Sequence, residues 1–185
     1  MIESELLVAA LARSEAIEQK VIEESPDEVS GASLPFLTAK AMTVLMQHHM
    51  SIRLLVKNGG LDASATALFR PYLEVGFKVL WMKYLAKPEQ IRQIDEGDAL
   101  FPPISKQLGT KIAQKSGRDT YRRQLQDLHI VHDLTHGGPE QLHRQYTPKT
   151  GIRSGRDISE IATLVDRTAV FTELVFLEAI TILRM

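Results

Sequence analysis

The chain has 185 residues, of which 44% are hydrophobic and 24% charged, and a formal net charge of −1. That length predicts one domain, residues 1–185, with a core that needs no staples. Cysteine is absent, which excludes a disulfide framework, a thiolate metal site and a Cys nucleophile, and fits a reducing compartment. The N-terminal stretch MIESELLVAALARSEAIEQK is acidic and amphipathic, without the basic region and cleavage site of a signal peptide. The most apolar stretch, VFTELVFLEAITIL, is interrupted by Glu173 and Glu178, so it reads as a buried core helix and not a membrane span. The expectation is a cytoplasmic protein with no membrane partner.

The elements follow from helical spacing and Gly/Pro punctuation. Leu7, Leu11, Ile17 and Val21 trace one face of a helix over roughly 3–24, stopped by Ser25-Pro26. Residues 26–37 read as a Pro/Gly/Ser connector. A second helix spans about 38–57, with Met42, Leu45, His49, Ile52 and Val56 on one seam. Asn58-Gly59-Gly60 ends it. Asp62 reads as the N-cap of a third helix over about 63–86, kinked or broken near Ala67 by Pro71. Residues 88–101 suggest a short helix and a turn. Pro102-Pro103 opens a segment bearing Ile104, Leu108 and Ile112, which Gly117 ends. Asp119 is expected to cap a sixth helix through His136, closed by Gly137-Gly138-Pro139. Residues 147–156 form a basic, Gly-bearing loop. Asp157 and Glu160 make a capping-box-like start for the last helix, expected to be long and central. Nothing alternates with period two for long enough to predict a sheet. The fold class is all-α, a single-domain bundle of five to seven helices.

Charge is unevenly spread. Residues 1–100 carry 10 basic and 14 acidic side chains, residues 101–156 carry 10 and 4, and residues 157–185 carry 2 and 5. The positive middle marks either an anion-binding surface or a segment that folds against the acidic ends.

Two constellations are able to carry chemistry. In LHIVHDLTHGG, His129, His132, Asp133 and His136 lie at i, i+3, i+4 and i+7, on one helical stripe. Three imidazoles and a carboxylate suit acid–base work near neutral pH or phosphate contact. They also suit a divalent metal if other helices contribute ligands. The structural alternative is that these side chains settle the exposed carbonyls of a helix end. In ALFRPYLEVGFKVLWMKYL, Arg70, Glu74 and Lys78 repeat every four residues, as an exposed ladder or, with Arg70 and Glu74, as a structural pair at a buried face. The cations Arg144, Lys149, Arg153 and Arg156 are phosphate-binding candidates, Arg being able to bind bidentately. His49, on an apolar seam, reads as a satisfied core histidine. No Walker loop, GxGxxG or GxSxG is present.

The Arg-x-x-x-Glu of Arg70 and Glu74, followed downstream by HDLTHGG, resembles uncharacterised bacterial helical-bundle families related to the HEPN superfamily, over roughly residues 38–183. The resemblance implies a HEPN-like bundle that dimerises. It also implies a metal-independent ribonuclease of toxin–antitoxin or phage-defence type, or a non-catalytic nucleotide-binding relative. The superfamily's pair is an Arg, four to six residues, then a His. The nearest match is Arg123, or Arg122, with His129. Gln124 stands where the superfamily prefers Asn, Asp or His, and Val131 stands where His136 would want an Arg. The resemblance thus supports the fold more than the activity.

The functional expectation is an RNA- or nucleotide-directed protein, with catalytic candidates His129, His132, Asp133, His136 and Arg123 and no cofactor or resident metal. Two alternatives stand beside it: a non-catalytic helical interaction protein, as a homodimer or as a toxin–antitoxin or defence partner, and a metal-dependent enzyme using the His stripe. The last expectation places His132 and His136 beside Arg70 and Glu74, in one polar cluster under the basic loop.

Overall fold

A computed structural model describes residues 2–59, 62–126, 146–147, 151–152 and 157–185. Its described helices are α1 (Ile2–Glu24), α2 (Ser33–Lys57), α3 (Asp62–Ala67), α4 (Phe69–Tyr84), α5 (Pro88–Glu96), α6 (Lys106–Ser116), α7 (Thr120–Arg123) and α8 (Ile158–Leu183). A two-residue antiparallel ladder pairs β1 (Tyr146–Thr147) with β2 (Gly151–Ile152). The fold is all-α.

α8 is the longest described helix, with 26 residues. It packs against α1, α2 and α4, and α2 also packs on α4. Apolar residues surround it along its second half, so Phe171, Val175, Phe176 and Ala179 are all buried. A helix apolar on most sides has to be enclosed by others. No helix among the described residues is long and apolar enough to cross a membrane.

Local chemistry sets the boundaries. Gly59, Gly97 and Gly117 follow α2, α5 and α6 with φ of 71°, 85° and 71°, the left-handed turn that glycine adopts without strain. Ser105 caps α6, its hydroxyl accepting from the Leu108 N–H at 3.1 Å. Asp157 caps α8, accepting from the Ser159 N–H at 3.0 Å. The chain breaks at Leu68, between α3 and α4, because Pro71 has no N–H for the carbonyl a turn earlier.

Three boundaries differ from the sequence reading. α2 begins at Ser33, inside the expected connector, because Pro35 sits in its first turn, where no N–H is needed. Asp119 does not cap α7. Its carboxylate instead accepts from Arg122 Nε at 2.8 Å and Arg123 Nε at 2.9 Å. The loop expected over 147–156 contains three of the four residues of the β1–β2 ladder, Thr147, Gly151 and Ile152. The expected sixth helix ends at Arg123, residues 124–126 form a turn, and its remainder, 127–136, lies outside the described residues.

One close approach decides how α4 meets α8. A Cβ on Gly76 would fall inside the van der Waals envelope of the Phe171 ring, and Phe171 is fully buried. Gly76→Val is therefore expected to cost about 2 kcal/mol or more in urea unfolding, since overpacking a closed core strains its neighbours. A loss below about 0.5 kcal/mol would mean that the ring has room to swing aside.

Candidate functional site: a basic hairpin seated on a buried carboxylate

Three polar groupings lie among the described residues, and their surroundings separate structure from function. The first runs through the core. The fully buried His49 of α2 has Nε2 2.9 Å from the Ser14 hydroxyl of α1 and Nδ1 3.0 Å from the Thr172 hydroxyl of α8. Thr172 also meets the Tyr72 hydroxyl of α4 at 2.9 Å, and Tyr72 donates to the Thr168 carbonyl at 2.6 Å. Tyr72 spends its one proton on the Thr168 carbonyl, so the Thr172 hydroxyl donates to Tyr72 and accepts from His49 Nδ1–H, which leaves Nε2 to accept from the Ser14 hydroxyl. One turn along, Arg53 grips Glu18 through two bonds of 2.7 and 2.8 Å, and both residues are buried. A Ser beside a His suggests an activated nucleophile. Here both side chains are completely enclosed, so no substrate reaches them and the grouping is structural.

The second grouping surrounds Glu178 of α8, which is only 6% exposed. Lys83 Nζ of α4 lies 2.7 Å from one carboxylate oxygen. Tyr121 of α7 donates to the other at 3.1 Å, and Arg118 Nε stands 3.3 Å away. Burial pushes the Glu178 carboxyl up, but hydrogen bonds from Lys83, Tyr84 and Tyr121 with the Lys83 charge outweigh it and leave it below the usual range. Burial, then the adjacent Glu178, pushes the Tyr84 phenol up to about 12. These bonds seat the α6–α7 hairpin on the bundle. Gly109 lets α6 close onto α7, since a Cβ there would stand 2.8 Å from Leu125 Cδ1.

The third grouping is the outer surface of that hairpin. Lys106, Lys111, Lys115, Arg118, Arg122 and Arg123 are all exposed, and Asp119 is the single acid from 101 to 126. Hydrogen bonds from Arg122 and Arg123 hold the Asp119 carboxyl below its usual range. In return Asp119 gathers two guanidinium groups side by side. A shallow groove of about 400 Å³ lies beside them, lined by Thr110, Ala113, Gln114, Gly117, Asp119 and Arg122.

Among the residues singled out in the sequence, Arg123 stands on this surface. Arg70 and Glu74 form a half-buried pair within α4, Nε to Oε1 at 3.0 Å. Lys78 leaves that ladder and lies 5.3 Å above the Phe101 ring, beside the edge-on Trp81–Phe101 contact. Arg167 packs over Phe69 and donates to the Gln124 carbonyl at 3.5 Å. His129, His132, Asp133, His136, Arg144, Lys149, Arg153 and Arg156 lie outside the described residues, and so does the cluster expected between His132, His136 and the Arg70–Glu74 pair. No three His, Asp or Glu side chains gather as a metal site among the described residues.

The profile of a family of unknown function, DUF6988, matches residues 42–182. The chain belongs to that family. Its match takes in α4, α6, α7 and most of α8, and with them the Glu178 cluster and the basic hairpin. α1 lies outside the DUF6988 match, although it supplies Ser14 and Glu18 to the core. No curated protein and no solved structure matches the chain.

The buried imidazole has a consequence for acid stability. Burial holds His49 below its ordinary value of 6.5, and partial burial lowers His48 as well. Below pH 6.5 the unfolded chain takes up protons that the folded chain refuses, so stability falls as pH falls. The slope is up to about 1.4 kcal/mol per pH unit for one such group. The urea midpoint is expected to be lower at pH 5.5 than at pH 7.5, and the drop to shrink in His49→Gln. Equal drops in both proteins would show that His49 does not set it.

Proposed function

We propose that the protein is directed at RNA or nucleotide phosphate, which it binds across the α6–α7 hairpin. The observation that carries this reading is the set of six exposed cations with one acid among them, in which Arg118 also reaches Glu178 and Arg122 and Arg123 are paired by Asp119. Paired guanidinium groups match the charge and geometry of phosphate oxygens. The chain as a whole is close to neutral, so its positive field is concentrated on this element, and a polyanion is drawn there first. The loop cations Arg144, Lys149, Arg153 and Arg156 would extend the same grip.

The likeness to HEPN proteins carries the reading one step further, to metal-independent RNA cleavage. A histidine among 129, 132 and 136 would take the proton of a ribose 2′-hydroxyl, and that oxygen would attack the neighbouring phosphorus. The bond to the 5′-oxygen breaks and that oxygen takes a proton from water, leaving a cyclic phosphate and a 5′-hydroxyl end. Arg123 would stabilise the charge that builds on phosphorus. A bacterial toxin–antitoxin or defence setting rests on the same likeness.

A second reading is a non-catalytic interaction protein that works as a homodimer. It is favoured by the outer face of α2, where Phe36, Val44, Met50 and Leu54 are exposed.

Titration of a fluorescein-labelled single-stranded RNA tests the first reading. Wild-type protein is expected to bind with an affinity that falls steeply as salt rises. The combined change Lys111→Glu, Lys115→Glu and Arg122→Glu is expected to weaken binding at least tenfold and flatten the salt slope, without lowering the urea midpoint. No salt-dependent binding of RNA, ATP or GTP by the wild type would end the phosphate reading. RNA bound but recovered intact would end its catalytic extension.

A further inference from the structure

The surface of α2 carries a pattern that the phosphate reading does not use. From Ala41 to Val56, the only Asp, Glu, Lys or Arg is Arg53, and it is buried in its pair with Glu18. In a chain that is 24% charged, sixteen helical residues with no exposed carboxylate, ammonium or guanidinium group stand apart. Phe36, Lys40, Thr43, Gln47, Met50 and Leu54 are all exposed. Their spacing of 4, 3, 4, 3, 4 puts them in one straight seam, the 3.5-residue repeat along which helices pair. The Lys40 ammonium is drawn back over its own Phe36 ring, 3.8 Å from the centroid. Beside the seam runs an apolar groove of about 440 Å³ between α1 and α2, with Ile22, Met42, Met46 and Met50 among its walls.

The seam is symmetric about Leu45. Run antiparallel against itself, Phe36 falls opposite Leu54, Lys40 opposite Met50, and Thr43 opposite Gln47. Large apolar side chains then meet at both ends, and the polar pair meets in the middle. The Thr43 hydroxyl already donates to the Ala39 carbonyl at 3.1 Å, so its oxygen is left to accept from a Gln47 amide across the axis. That is the self-complementarity a two-fold interface requires. A charged seam would repel its own copy, whereas this one brings a single cation from each side, at opposite ends.

The seam from Phe36 to Leu54 runs for about 27 Å along α2.

We propose that α2 is the interface of a homodimer, in which the α2 seam of a second copy lies antiparallel on the first along Phe36, Thr43, Gln47, Met50 and Leu54. This inference rests on the interaction reading and uses none of the α6–α7 cations, so it and the phosphate reading fail separately.

Sedimentation equilibrium of the whole chain tests it. The expected mass is twice the 20.7 kDa of one chain, and Met50→Glu with Leu54→Glu is expected to reduce it to one chain while leaving the far-UV circular dichroism unchanged. A wild-type monomer at 50 μM would overturn the proposal and leave the face to a different protein. Geometry is read separately. The chain has no cysteine, so Thr43→Cys and Gln47→Cys chains mixed and oxidised with diamide report on one pair of positions. A disulfide between the two variants, in excess over either with itself, is expected. A dimer that forms no such cross-link, or that survives the double glutamate change, would overturn the α2 seam.

Discussion

A single line of hydrogen bonds holds the four long helices in register. Ser14, His49, Thr172 and Tyr72 come one each from α1, α2, α8 and α4, and each is fully buried. Apolar contacts tolerate a helix sliding or turning slightly, because they are non-directional. Buried hydroxyls and an imidazole do not, since a partner lost by one helix is a polar group stranded away from water, at about 1–3 kcal/mol. The Glu18–Arg53 pair next to the line adds a fork geometry that fits in one orientation only. The hydrophobic effect collapses this bundle, and these bonds select which collapsed arrangement persists.

That arrangement sets where the surface chemistry stands. α8 presents Thr168 and Thr172 to the core line and, further along, Glu178 to the hairpin. The same helix therefore fixes the packing and carries the seat for the α6–α7 cations. A carboxylate at 6% exposure needs compensation, and it receives it from Lys83, Tyr84, Tyr121 and Arg118. Tyr121 and Arg118 meet part of that requirement from the α6–α7 hairpin, which seats the hairpin beside α8.

Much of the fold was legible in the sequence because its signals are local. Gly59 and Gly117 end helices wherever they fall in the tertiary structure, and the break before Phe69 follows from Pro71 alone. The seam of α2 identified His49 as a core residue. Its partners were not legible. Ser14 and Glu18 on α1 share the i, i+4 spacing of His49 and Arg53 on α2, a matched pair of polar doublets inside apolar stripes. Matching them requires knowing that α1 and α2 lie side by side in a given register, which one sequence does not state. Glu178 was read only as an interruption of an apolar run, because its four companions come from other segments. Asp119 was expected to cap a helix, since Asp before a helical run usually does, but two neighbouring guanidinium groups compete successfully for its oxygens.

Trp81, the single tryptophan, is buried with its ring set edge-on to Phe101, in the linker that leads from α5 into α6. Indole emission depends on the water within a few ångströms, while far-UV ellipticity is set by the four long helices. The protein thus carries its own optical reporter for one segment. Lifting that linker would shift the emission to the red with the ellipticity unchanged, so the seating of the hairpin can be followed without a label.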